Sequence, residues 1–167
     1  IENSGPEAGF ADLFKNRWTI LTPNKKIDGE AIKKLSSFWE SMGSKVKIMT
    51  DEDHDKILTF TSHLPHVIAY NIVKTSMSND ASVKDDIIKY SAGGLRDFTR
   101  IAASDPVMWR DIFIDNSALI IKAIEKFIKN LDEFKKAISE KDGKKLVEIF
   151  EKSKDFRKLV IKAGQDT

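Results

Sequence analysis

The sequence predicts a mainly α chain in which an all-helical domain, residues 51–167, follows a strand–helix–strand remnant of an α/β domain, residues 1–50. Two observations predict it. Two β-rich runs, Arg17–Thr22 and Ser44–Thr50, flank a single stretch with helical spacing. Beyond Thr50 the apolar period becomes helical and stays so.

Residues 1–16 have Gly and Pro in front and a weak apolar rhythm behind, and read as a loop running into a short helical turn. Arg17–Thr22 is stopped by Pro23-Asn24 as a strand would be. From Asp28 to Met42, Ile32, Leu35, Phe38, Trp39 and Met42 recur at helical spacing, with Gly43 as the C-terminal stop. Ser44–Thr50 alternates, placing Val46 and Ile48 on one face. One strand–helix–strand unit cannot cover both faces of its own sheet, so it belongs to a larger layered domain. The absence of an initiating Met fits a chain cut from a longer one.

Thr50-Asp-Glu-Asp53 is a helix start, a hydroxyl cap followed three residues later by a carboxylate. The helix carries Ile57, Phe60, Leu64, Val67, Ile68, Ile72 and Val73 as its apolar stripe, and Pro65 is expected to kink it. Ser82–Asp85 opens a helix that stops at Ala103-Ser104. Asp105-Pro106 is a cap with proline at the first helical position, and the long helix behind it is expected to bend near Asp115-Asn116. Its second half is expected to bury Ile120, Ile124, Phe127, Leu131, Phe134 and Ile138. Asp142-Gly143 precedes a last amphipathic helix built on Leu146, Phe150, Phe156 and Val160.

Composition narrows the function classes. Hydrophobic residues make up 41% of the 167, enough for one ordinary domain or one domain and a piece of another. Cysteine is absent, which excludes disulfides and thiolate chemistry and fits a reducing cytoplasm. No apolar run is long enough to span a bilayer, and none resembles a signal segment, so no membrane partner is expected. The net charge of +2 comes from 28 basic and 26 acidic residues interleaved along the helices, a solvated face rather than a nucleic-acid stripe.

Two segments depart from plain helix packing: Thr61-Ser-His-Leu-Pro-His66 and Ser91-Ala-Gly-Gly-Leu-Arg-Asp-Phe-Thr-Arg100. His63 and His66, three apart, point to adjacent faces of one helix. A metal would need more ligands, and His54 is more than two turns upstream, so no metal is expected. The plain alternative is a pair of packed histidines with local hydrogen bonds. Gly93-Gly94 inside a helix costs roughly 1 kcal/mol each relative to Ala, which close approach of a ligand or backbone would offset. Asp97 and Arg100 are i,i+3 neighbours able to pair, and a guanidinium fork also matches a ligand carboxylate. No phosphate loop, Gly-x-Gly-x-x-Gly pattern or nucleophile–base order is present. From residue chemistry alone this is an anion pocket in a helical domain.

At these residues, and at Ser104-Asp-Pro-Val-Met-Trp-Arg110, the sequence resembles the prephenate and arogenate dehydrogenase family of tyrosine biosynthesis. Glu2-Asn-Ser-Gly5 resembles the piece that follows the family's catalytic histidine segment, and Trp18-Thr-Ile-Leu-Thr-Pro23 a strand near the end of its nucleotide-binding domain. The likeness covers the chain to about Asn116. It implies the end of a Rossmann-type domain, a helical dimerisation domain, and a homodimer. No catalytic residue is then expected here, because the family's histidine would lie upstream of Ile1, and the chain alone should be inactive. NAD or NADP would be bound by the domain that is not present.

The implied reaction is oxidative decarboxylation of prephenate, with arogenate as the other substrate. By motif match Arg100 would bind the ring carboxylate and His66 the side chain, with Ser62 nearby. Gly93 would give backbone access, Met108 and Trp109 would wall the pocket, and Glu2 and Asp97 would form a polar network at its mouth. His63 reads as structural. A noncatalytic helical interaction module is the competing reading.

Overall fold

The computed structural model describes residues 5–165, which fall into two compact units, one ending at Ile120 and one beginning at Ile121. In the first, a short 3-10 turn (Pro6–Ala8) leads to β1 (Trp18–Leu21), α1 (Gly29–Ser41) and β2 (Lys45–Ile48). The strands pair in parallel, Trp18 opposite Lys45 and Leu21 opposite Ile48. Asp28 caps α1 by accepting from the Glu30 amide at 3.1 Å, and Gly43 ends it at φ 84°, a conformation that favours glycine. Ser44 Oγ donates to the Phe14 carbonyl at 3.2 Å, and Phe14 packs edge-on against Trp39, so the turns before β1 are tied to the end of α1.

The helices follow without a linker. Thr50 caps α2 (Asp51–Leu58), its hydroxyl accepting from the Asp53 amide at 3.1 Å as the sequence pattern predicts. At Pro65 the expectation needs correcting. Instead of a kink at the proline, the helix widens over Thr59–His63 into a π turn and continues directly as α3 (Leu64–Met77). The Leu64 amide reaches back five residues to the Thr59 carbonyl. Such a turn takes in one extra residue and re-phases the side chains after it; of the expected apolar stripe, Ile57 just before the turn and Phe60 within it are exposed.

A second correction concerns the helix expected from Ser82 to Ala103. It is two helices, α4 (Ala81–Lys89) and α5 (Gly93–Ala102), separated at Tyr90–Ala92. Gly93 and Gly94 therefore occupy the first turn of α5 rather than a helix interior, and a Cβ at either would meet nothing within 4 Å. The cost of an interior glycine does not arise, and no backbone approaches closely there. α5 lies against α3, and Tyr70 Oη donates to the Ser104 carbonyl at 3.2 Å just beyond it.

Asp105 caps α6 (Pro106–Asp115), accepting from the Met108 amide at 2.7 Å, and the bend expected near Asp115-Asn116 is a true helix end. α7 (Ser117–Ser139) starts immediately after it. The core of the first unit includes Ala69, Trp109 and Ile120, with Thr59 and His63 as buried polar side chains.

In the second unit the remainder of α7 and α8 (Gly143–Lys162) are joined by a tight turn with Lys141 at φ 53°. Asp142 caps α8 through the Lys145 amide at 2.9 Å, and Phe134 meets Phe150 with ring centroids 6.0 Å apart. The stripe expected to be buried is only partly so: Leu131 and Ile138 are 54% and 61% exposed, and Phe156 is 68% exposed. Two helices have too few facing positions to cover it.

Candidate functional site

The π turn gathers the polar cluster of the first unit. His66, one turn after it, directs Nδ1 to the Ser62 carbonyl at 2.9 Å. A carbonyl only accepts, so His66 Nδ1 carries the proton, and Nε2 of the neutral ring is left with a lone pair. The imidazole stacks on the indole of Trp109, centroids 3.5 Å apart and planes 22° apart. His63 meets the same indole edge-on at 6.2 Å, and the Phe113 ring lies tilted against it at 5.4 Å. Asn116, between α6 and α7, donates from Nδ2 toward His63 Nδ1 (3.1 Å), Thr59 Oγ1 (3.0 Å) and the Asp55 carbonyl (3.2 Å).

The electrostatics follow from this packing. Burial holds the His63 imidazole below its ordinary value; the nearby Asp55 carboxylate opposes that shift, and His54 and His66 add to it. Tyr70 is pushed up, by burial first and by the Asp105 carboxylate second. Trp109 is 6% exposed, and its indole N–H is buried without a hydrogen-bond acceptor. Leaving such a donor unpaired costs on the order of 1–3 kcal/mol.

Of the residues singled out in the sequence, Ser62, His66 and Trp109 come together here. Arg100 and Asp97 lie on an exposed face of α5, joined by an ion pair at 4.0 Å. Gly93 opens that helix two residues after Ser91, and Met108, half exposed, precedes Trp109 on α6. Glu2 lies outside the described residues. His63 is packed and hydrogen-bonded, as its structural reading expects. Sequence reasoning missed Thr59 and Asn116. The one signal for Asn116 in the sequence is an asparagine at a helix break; its partners lie 53 to 61 residues back in the chain.

Among the described residues no group of three or more His, Cys, Asp or Glu side chains is gathered as a metal site would require. Among the described residues no helix is long and apolar enough to cross a membrane. Among the described residues, the helix start of the strand–helix–strand unit does not fit a dinucleotide's pyrophosphate. The start of α1, where a βαβ fold would seat a phosphate, is capped by the Asp28 carboxylate, which occupies the Glu30 amide and repels an anion.

Residues 50–152 match the family model "Prephenate dehydrogenase, dimerization domain", and residues 1–48 match "Prephenate dehydrogenase, nucleotide-binding domain". The chain is 40% identical over 165 residues to a cyclohexadienyl dehydrogenase of Zymomonas mobilis, covering 99% of this chain and 56% of that protein. It is 32% identical over 154 residues to a prephenate dehydrogenase of Bacillus subtilis, covering 92% and 41%. Among solved structures, prephenate dehydrogenase from A. aeolicus in complex with hydroxyphenyl propionate and NAD+ superposes with a TM-score of 0.87 at 40% identity, over 96% of this chain and 56% of that one. The chain thus spans about half the length of the relatives it matches.

Proposed function

The chain belongs to the prephenate dehydrogenase family, and from that premise we propose that it is the substrate-binding and dimerisation part of an NAD-dependent enzyme that converts prephenate to 4-hydroxyphenylpyruvate. The observation that carries the reading is the Ser62–His66–Trp109 cluster, built by a π turn inside the segment that matches the family. π turns of this kind concentrate at functional sites. The balance is prephenate + NAD+ → 4-hydroxyphenylpyruvate + CO2 + NADH, with the nicotinamide, when bound, taking the hydride. The relative bound to NAD+ supports that cofactor, and NADP remains the variant to assay beside it. The mismatch of this chain's residues with a pyrophosphate supports inactivity of residues 1–167 alone.

What these residues do in the proposal is bind and orient. Arg100 takes the ring carboxylate, and Asp97, its partner on α5, orients the guanidinium. Gly93 offers a backbone amide at the start of α5, and Met108 and Trp109 wall the ring. His66 receives the side chain, with Ser62 fixing its ring. Positioning is the main requirement, because aromatisation drives the reaction once hydride and CO2 depart.

The His66 geometry also favours a second reading. With its proton on Nδ1, the neutral ring offers only an acceptor at Nε2. An ammonium group, as on the alanyl side chain of arogenate, fits that acceptor directly; a keto oxygen requires the imidazolium. The test is NADH formation by the full protein with prephenate and with arogenate, with NADP as the alternative cofactor and residues 1–167 alone as a control. Turnover by the full protein and none by the control is expected. No turnover with any combination would leave the noncatalytic helical module standing.

A further inference from the structure

Asn116 reaches from the junction of α6 and α7 back to the π turn, and the chemistry of its neighbours fixes more than its position. Its amide lies against the Asp55 carbonyl, which can only accept, so the nitrogen end must face this corner. Thr59 Oγ1 has already given its one proton to the same carbonyl at 2.7 Å, and so meets Asn116 with a lone pair. The third neighbour follows by elimination. The amide's two protons serve three acceptors: one is shared between the Thr59 and Asp55 oxygens, which lie 2.7 Å apart, and the other, aimed at His63 Nδ1, requires a lone pair there, so the ring is neutral and carries its proton on Nε2. His66 holds its proton on the opposite nitrogen, Nδ1, against Ser62.

We propose that Asn116 is a positioning residue: it locks His63 in the Nε2–H tautomer and pins the π turn that sets His66 against Trp109. Protonating His63 at Nδ1 would put two donors face to face, so the lock opposes the charged ring as burial does. The two imidazoles then present unlike nitrogens, a donor at His63 Nε2 and an acceptor at His66 Nε2. The lock itself goes beyond the substrate reading; only its consequence for turnover rests on that reading.

The chain has three histidines, so ring-nitrogen correlation spectra of 15N-histidine-labelled protein at mildly alkaline pH can be assigned residue by residue. Expected are a pyridine-like Nδ1 for His63 and a pyridine-like Nε2 for His66. Asn116→Asp, which presents an acceptor, should move the His63 proton to Nδ1; Asn116→Ala should let the ring average between tautomers, with His66 unchanged in tautomer. A wild-type His63 protonated on Nδ1, or a folded Asn116→Ala protein with the wild-type His63 spectrum, would overturn the lock, and the wild-type measurement decides even if both variants unfold. In the full enzyme, Asn116→Ala should raise KM by about tenfold as the stack loosens. Wild-type inactivity would sink the substrate reading and leave the lock intact.

Discussion

At the residue scale, His63 and His66 are three positions apart on one continuous helical segment, and their surroundings treat them differently. His63 is nearly enclosed, and its folded-state value is depressed from the ordinary 6.5, with burial the leading cause. The sign of its contribution follows. In the interval between the depressed value and about 6.5 the unfolded chain binds more protons than the folded one, so stability rises with pH there. The contribution is complete above 6.5 and is lost as pH falls toward the folded value. Urea unfolding of wild type and His63→Gln at pH 8 and pH 5 should therefore give a smaller acid-induced loss for the variant; equal losses would mean that His63 is not a source of the slope. Ser62, His66 and Trp109 were legible because their spacing is local or their residue types are unusual. Asn116 was not, because its partner at His63 is 53 residues away, and one sequence holds no record of that distance.

At the scale of elements, the caps read from sequence at Thr50 and Asp105 are present in the structure, and Asp28 and Asp142, which the sequence marks only as helix boundaries, cap in the same way. Asp28, Thr50, Asp105 and Asp142 each accept a hydrogen bond from a backbone amide two or three residues ahead. Such bonds are decided within one turn of chain, so residue type and spacing suffice to find them. Asp105→Ala should lower stability by about 1 kcal/mol, with Asp105→Asn retaining most of it. A matched pair of urea midpoints would check this, and an equal loss for both variants would assign the effect to charge instead of capping. The break between α4 and α5 and the π turn escaped the same logic. Ile87, Ile88, Leu95 and Phe98 continue a helical rhythm across Tyr90–Ala92, and the docking of α5 on α3 is a tertiary contact. The π turn likewise carries a long-range contact, Asn116 Nδ2 to Thr59 Oγ1 at 3.0 Å, and a hydrophobic period is blind to that.

At the scale of the whole molecule, α7 and α8 carry more apolar surface than they cover. Leu131, Ile138, Phe150, Phe156 and Leu159 are each more than half exposed, and Leu131 and Ile138 flank Phe134 along a shallow apolar groove on α7. Patches of this kind mark association surfaces. Together with the dimerization-domain match, they support a homodimer: light scattering at micromolar concentration should give twice the 18.9 kDa chain mass, and Leu131→Asp with Ile138→Asp should halve it. A monomeric wild type would contradict the assignment. The three tryptophans, meanwhile, are spread over β1, α1 and α6 in unlike settings: Trp18 half in solvent, Trp39 boxed by Phe14 and Phe38, and Trp109 face to face with an imidazole. Indole emission depends on what lies against the ring, so of the three only Trp109 reports from inside the candidate site: loosening the His66 stack should change its signal, whereas Trp18 and Trp39 sit on other elements with no imidazole against them.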